Sequence, residues 1–198
     1  MSASETFDVI VIGFGYAGAV AAIEAHDAGA SVLLLEKQAD PGGISVCSAG
    51  GLRIAKSADD AFAYLAATNA GTAPEPVLRR LAQGMTGLAD YVRQLAAATG
   101  ARVSVRDHVA NYPLPGTDTF GFVYIEEVPG FNAAAEFPFV RGSADGARLF
   151  KVVREEVRRR GGITVRLASA AERLLRGPSG VAGVMVGGRV IAARVALS

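Results

Sequence analysis

The chain has 198 residues, is 51% hydrophobic, contains no tryptophan and carries a net charge of +1, which is enough apolar material for one substantial core. That balance gives no bulk attraction to nucleic acid or an anionic membrane, and no apolar run approaches the ~20 residues that cross a bilayer. One cysteine, Cys47, and two distant histidines, His26 and His108, exclude an intramolecular disulfide, point away from a metal site and fit a reducing, cytoplasmic setting. The first residues, Met1 to Thr6, show neither a basic segment nor an apolar signal core.

Val9 to Ile12 is an apolar run ending at glycine, the pattern of a buried parallel strand. Gly13-x-Gly15-x-x-Gly18 follows at once, and an alanine-rich helical segment follows that. Gly13 permits a tight turn and Gly15 lets the backbone approach a pyrophosphate. Gly18 and Ala22 are small enough for close helix–strand packing. The helix begins near Ala17 and aims free N–H groups and its positive dipole end at phosphates, so Tyr16 and Ala17 join the three glycines as cradle residues. Gly29 suits the end of that helix. Val32 to Leu35 is the next strand, with Glu36 and Lys37 at its end. A carboxylate at Glu36 accepts hydrogen bonds from both ribose hydroxyls and repels a 2′-phosphate, which argues against NADP.

No second crossover helix follows. The chain enters Gly42-Gly43-Ile44-Ser45-Val46-Cys47-Ser48-Ala49-Gly50-Gly51. Such a stretch reads as an extended, donor-rich loop able to lie against a flat ring. Cys47 reads as small packing material beside it rather than as a nucleophile.

Together these segments resemble the flavoprotein superfamily of fumarate reductases, succinate dehydrogenases and 3-ketosteroid dehydrogenases. The resemblance rests on the dinucleotide fingerprint, the Glu36-Lys37 pair and the Gly42 to Gly51 loop with its Ala-Gly-Gly end. It continues at Gly161 to Leu175 and is loose between Ala55 and Val140. It implies an α/β fold: a Rossmann-like FAD-binding domain with a parallel sheet and an antiparallel β-meander, lacking the family's capping domain. It also implies FAD, with the ADP half on Gly13 to Glu36 and Lys37, and the isoalloxazine over Gly42, Gly43, Ser45, Ser48, Ala49, Gly50 and Gly51. The Ala171 backbone would touch the adenine. Quinone-linked members join the flavin covalently to a histidine at the position held here by Ile44, so a non-covalent FAD is expected.

Further along, Asp59 to Ala67 reads as a helix. Thr68 to Pro76 is a break. Val77, Leu78, Leu81, Met85, Leu88, Val92 and Leu95 recur at helical spacing up to Gly100, with Gly84 and Gly87 able to bend or split the helix. Met85 and Tyr91 read as core rather than a flavin box. Arg102 to Arg106 is a short strand. Residues 107–140 concentrate aromatics and prolines, including Tyr112, Phe120, Phe122, Tyr124, Phe131, Phe137 and Phe139. Phe120, Phe122 and Tyr124 alternate onto one strand face. The segment reads either as the wall of a substrate pocket or as a buried loop or the seat of another domain. Ala147 to Arg160 is a helix with Leu149, Phe150, Val153 and Val157 inward, and its Arg158-Arg159-Arg160 run reads as a solvated face. Strands are expected at Ile163 to Leu167, Leu174 to Arg176 with Val181 to Val186, and Val190 to Leu197, with turns at 177–180 and 187–188.

The expectation is therefore one FAD-binding domain over residues 1–198 with an aromatic insertion at 107–140, cut off before the family's cap and completed by a further segment or another chain. The expected chemistry is hydride transfer between flavin N5 and a carbon beside a carbonyl or carboxylate, with a small-molecule substrate. A steroid-like or alicyclic ketone is favoured over a dicarboxylate. Tyr112, Tyr124 and Arg141 are chemically able groups, and none is assigned a catalytic role. The alternatives are a non-catalytic ADP- or FAD-binding module and a conventional NAD domain.

Overall fold

The structure, a computed structural model, describes residues 5–178 and 180–197. In chain order the elements are β1 (Glu5–Ile12), α1 (Tyr16–Asp27), β2 (Val32–Leu35), a 3₁₀ turn (Gly43–Cys47), β3 (Leu52–Ala55), α2 (Ala58–Thr68), α3 (Glu75–Ala97), β4 (Arg102–Asp107), a second 3₁₀ turn (Thr117–Thr119) and β5 (Phe120–Glu127). Then come α4 (Ala133–Glu136), α5 (Asp145–Arg159), β6 (Ile163–Arg166), β7 (Ala171–Gly177), β8 (Gly180–Val186) and β9 (Arg189–Leu197). The chain forms two compact units. One runs up to Cys47 and resumes at Phe150; the other is Ser48–Leu149.

The first unit holds a six-stranded sheet in the order β6-β2-β1-β9-β8-β7. β6, β2, β1 and β9 run parallel, with Val9 opposite Val32 and Ile12 opposite Leu35. β7, β8 and β9 form the antiparallel meander. All four residues of β2 are buried, as a parallel strand covered on both faces requires. Ile10, Leu33, Leu35, Val184 and Ile191 cluster in this core. On α1 the buried positions are Ala19, Ala22 and Ile23, small enough for the helix to lie close to its strands. The turn expected at 177–180 closes the β7–β8 hairpin; Ser179 within it, Ser198 and residues 1–4 lie outside the described residues.

Leu149, Phe150, Val153 and Val157 of α5 are buried, as their spacing predicts. The arginine run at its end is not simply a solvated face. Glu156 is buried and accepts from Arg159 and Arg160, and Arg160 also grips Asp27 at the end of α1, with Nε–Oδ1 and Nη2–Oδ2 both 2.7 Å. A partner distant in sequence turned a predicted surface run into a tie between two helix ends.

The second unit is wider than the 107–140 segment that composition singles out, because α2 and α3 have the ordinary amphipathic pattern of any helix. Its sheet has the order β3-β5-β4, all antiparallel. The Ser57 hydroxyl caps α2 by accepting from the Asp60 N–H at 3.2 Å. Pro76 stands in the first turn of α3, where its missing N–H costs nothing. Gly84 and Gly87 leave α3 unbroken. Ala55, Ala61, Tyr64, Ala82 and Phe120 form the core, with Met85 against it and the Tyr64 and Phe120 rings edge-on at 5.1 Å. Val77 and Leu81, part of the same apolar repeat, are 55% and 48% exposed. The apolar stripe of α3 is broader than the surface its own unit offers to cover it.

Candidate functional site

Because Ile12 and Leu35 are paired, Gly13 and Glu36 leave their strands side by side. Gly13 turns the chain at φ +101° and donates its N–H to the Leu35 carbonyl at 2.7 Å. A Cβ on Gly18 would run into the Gly13 carbonyl, so α1 starts packed directly on the turn. Gly15, at the N-cap, offers no side chain. The cap comes from the second glycine cluster: the Ser45 hydroxyl accepts from the Tyr16 N–H at 3.0 Å. A Cβ on Gly15 would stand 2.8 Å from that same oxygen. The N–H groups of Ala17 and Gly18 have no intrahelical carbonyl to bond. They border a cavity of about 360 Å³ whose lining includes Gly13, Gly15, Tyr16 and Ser45. A neutral rim of backbone donors at a positive helix end is the donor set a pyrophosphate needs, and the residues fit one.

Glu36 is 8% exposed. Its Oε2 accepts from the Phe14 N–H at 3.0 Å and its Oε1 from the Gln38 N–H at 2.8 Å. The carboxylate therefore braces the glycine turn as well as standing where a ribose is expected. A carboxylate offers roughly four acceptor positions, so two remain. Sequence reading missed this brace, although the signal was there: an acid directly after a strand in register with β1. Lys37 is exposed beside it. Past β6, the Ser169 N–H donates to the Glu36 carbonyl and the Ala168 N–H to the Gln38 carbonyl, both at 2.8 Å. Ala168 holds φ +48°, a conformation fixed by those two bonds. Ala171 opens β7 just beyond and packs against the sheet core that includes Leu35.

The second glycine cluster is not extended throughout. Gly43–Cys47 winds into a 3₁₀ turn, closed by the Ser45 N–H on the Gly42 carbonyl at 2.9 Å. Burial of Val46 beside Phe150 drives this, and the same two side chains leave no room for a Cβ on Gly42. The Gly42 N–H donates to the Phe14 carbonyl at 2.7 Å, tying the cluster to the fingerprint turn. Ile44 is 89% exposed, and Cys47 is exposed rather than packed as expected. In the second unit the Ser48 hydroxyl accepts from the Gly50 N–H at 3.2 Å, and the Ser48 carbonyl from the Gly146 N–H at 3.1 Å. Ala49 is exposed between them. Gly50 lies on the Asp145–Gly146 backbone, and a Cβ on Gly51 would stand 2.6 Å from the Tyr124 ring.

On β5, Phe122 and Tyr124 share a face with their rings 6.0 Å apart, while Val123 and Ile125 are buried on the other. Three basic side chains line the aromatic face. The Arg53 guanidinium lies 4.8 Å from the Phe122 ring centroid and 5.2 Å from that of Phe120. Arg106 lies 4.7 Å from Tyr124, and His108 meets Phe122 edge-on at 5.1 Å. Hydrogen bonds from Ser104 and Arg106 hold the Glu126 carboxyl below the usual carboxylate range. Tyr112 and Arg141 are exposed and take no part in this cluster. Sequence reading could not find Arg53 and Arg106, because only strand pairing brings them to Phe122. Among the described residues no group of three acidic, histidine or cysteine side chains could hold a metal ion, and no helix is long and apolar enough to cross a membrane.

Residues 8–195 match the family model described as FAD binding domain. An NADH:fumarate oxidoreductase of Klebsiella pneumoniae (strain 342) is 45% identical over 56 residues, 28% of this chain and 6% of the relative. The 3-ketosteroid-Δ4-(5α)-dehydrogenase of Rhodococcus jostii RHA1, solved with 4-androstene-3,17-dione, superposes with a TM-score of 0.74 at 18% identity, over 96% of this chain and 44% of that one. A flavocytochrome c3 fumarate reductase in its open conformation superposes with a TM-score of 0.73 at 22% identity, over 98% of this chain and 33% of that one. The chain thus spans less than half the length of these relatives. The two superpositions bear on the fold: a parallel sheet with an antiparallel meander, as the sequence predicts.

Proposed function

The chain belongs to the family of FAD binding domains, and from that premise we propose that it is the cofactor-binding part of a flavin-dependent oxidoreductase acting on a carbon–carbon bond beside a carbonyl or carboxylate. Bound FAD supplies hydride exchange at flavin N5. The protein's part is to hold and orient. The Gly13–Gly18 turn and the start of α1 present neutral donors to the pyrophosphate, with Ser45 fixing the first of them. Glu36 keeps two acceptor positions for ribose hydroxyls. Ile44, at the position of the covalent histidine in quinone-linked members, has no nucleophile to offer, so the cofactor is held without a covalent link. The single exposed Cys47 supports a reducing, cytoplasmic setting.

The observation that carries the substrate reading is the aromatic face of β5 with its guanidinium groups. Flat rings favour a flat apolar body, and the guanidinium groups beside them are already engaged, Arg53 on the Phe120 and Phe122 rings and Arg106 on Glu126 and Tyr124, rather than open to a substrate carboxylate. That combination supports an alicyclic or steroid-like ketone over a small dicarboxylate. The Tyr124 hydroxyl on this face is able to hold and pass a proton. The reaction adds a hydride and a proton across a conjugated carbon–carbon double bond, or removes them. The test is to photoreduce the FAD-loaded chain without oxygen and add either a cyclic enone or fumarate. Recovery of the oxidised flavin band faster with the enone is expected. Recovery no faster than for free reduced FAD with either compound would instead mark a nucleotide-binding module without redox chemistry of its own.

A further inference from the structure

Helix α3 carries two apolar rows. Leu78, Ala82, Val92, Leu95 and Ala96 face their own unit and are buried. The second row is Val77, Leu81, Gly84 and Leu88. These four recur at alternating four- and three-residue intervals, the repeat of a seam along which two helices pack. Val77 and Leu81 are exposed, and a Cβ on Gly84 would meet nothing within 4 Å, so the helix is thinnest at the middle of the row. With Leu52 of β3 the row bounds a groove of about 830 Å³. The only charged side chains on it are Arg53 and Arg80, and no carboxylate lines it. Arg53 spends its guanidinium on the Phe120 and Phe122 rings, and the neighbouring Arg79 is taken by Glu75 at 2.7 Å. Among the described residues neither Arg53 nor Arg80 has an ion-pair partner. The groove is therefore lined mainly by apolar side chains, with Arg80 as its cation not engaged elsewhere.

We propose that this groove docks an amphipathic helix, supplied by another polypeptide segment, with apolar residues at the same four-three spacing and carboxylates along its flanks. The spacing argues for a helix, because a strand presents its side chains with period two. The thin waist at Gly84 admits a bulky side chain from that helix. The Arg80 guanidinium, which has no ion-pair partner among the described residues, argues for carboxylates. A second copy of this groove is a poor occupant, since it brings the same two cations and no acid to meet them.

The test uses the full 198-residue chain and two fluorescent helical peptides that share one leucine seam. One peptide is flanked by glutamates and the other by lysines, and binding is read by anisotropy. The glutamate peptide binds saturably, and the lysine peptide at least ~10-fold more weakly. R80E reverses that preference, and L81D abolishes binding of both. Both substitutions are on exposed positions, so circular dichroism and thermal melting confirm an unchanged fold. Equal binding of the two peptides, or of neither, overturns the proposal. So does a dimer by light scattering that L81D dissolves, which assigns the face to a second copy. Capture of anionic vesicles that R80E abolishes overturns it in favour of a membrane surface.

Discussion

The two glycine clusters look alike in the sequence and differ in what their close backbone packing is for. At Gly13 to Gly18 the backbone closes on itself, Gly18 against the Gly13 carbonyl, and the donors this exposes border an open cavity. At Gly42 to Gly51 the missing side chains make room for protein: Val46 and Phe150 at Gly42, the start of α5 at Gly50, and the Tyr124 ring at Gly51. Glycine content therefore does not separate a ligand cradle from a close-packed joint. Nor does what a Cβ would meet, since Gly15 and Gly18 also face protein atoms; the cradle is marked by helix-start donors that border a cavity. Ser45 belongs to the second cluster by position and to the first by function, because its hydroxyl completes the helix start there.

The sharpest way to break this contrast is Gly18→Val. Its branched side chain has no space against Gly13, and the loss should be roughly 3 kcal/mol or more of folding stability, with nucleotide binding abolished. Urea melts and an ADP titration read both. Gly51→Ala should cost about 1–3 kcal/mol through overpacking on Tyr124 while leaving ADP affinity unchanged. Adding Tyr124→Leu should recover part of that loss; a fall in ADP affinity for Gly51→Ala would erase the distinction between the clusters. Ser45→Ala removes one helix cap, worth about 1 kcal/mol, and should weaken ADP roughly fivefold, with Ser45→Thr restoring both. Lower stability with unaltered ADP affinity would make Ser45 a packing residue only.

A fourth prediction concerns acid. Burial pushes the Glu156 carboxyl up, but hydrogen bonds from Arg159 and Arg160 outweigh it and hold the group below its usual range. Asp27 is held low by its hydrogen bonds from Arg160 and then His26. Unfolded carboxylates take up protons near pH ~4, before these two do in the folded chain. The stability they contribute is thus fully present above that pH and is lost as the pH falls toward their folded values. Arg160→Gln should flatten the acid limb of a plot of urea midpoint against pH, and an unchanged limb would remove this tie from the account.

The β1–turn–α1–β2 unit was legible because its signals are local: one apolar run, three glycines at fixed spacing and an acid after the next strand. The aromatic face of β5 was legible from period two alone. The cap from Ser45 to Tyr16, the brace from Glu36 to Phe14 and the guanidinium groups over Phe122 and Tyr124 were not, since each depends on a pairing that the fold supplies. The 3₁₀ turn at Gly43–Cys47 was hidden because a glycine-rich stretch is compatible with either an extended or a wound chain, and burial of Val46 decided between them. The outer row of α3 was not separable from its buried row in the sequence, because periodicity reports how much apolar surface a helix has, not how much of it the domain covers.

The most direct test of the central claim is the cofactor itself. The purified chain is saturated with FAD, its visible spectrum is recorded, and the protein is precipitated with acid. A bound-flavin band with stoichiometric FAD recovered in the supernatant, and none left on the precipitate, is the expected result: an FAD cradle without a covalent link. A colourless chain that gains no flavin band on added FAD, yet binds NAD tightly, would contradict it.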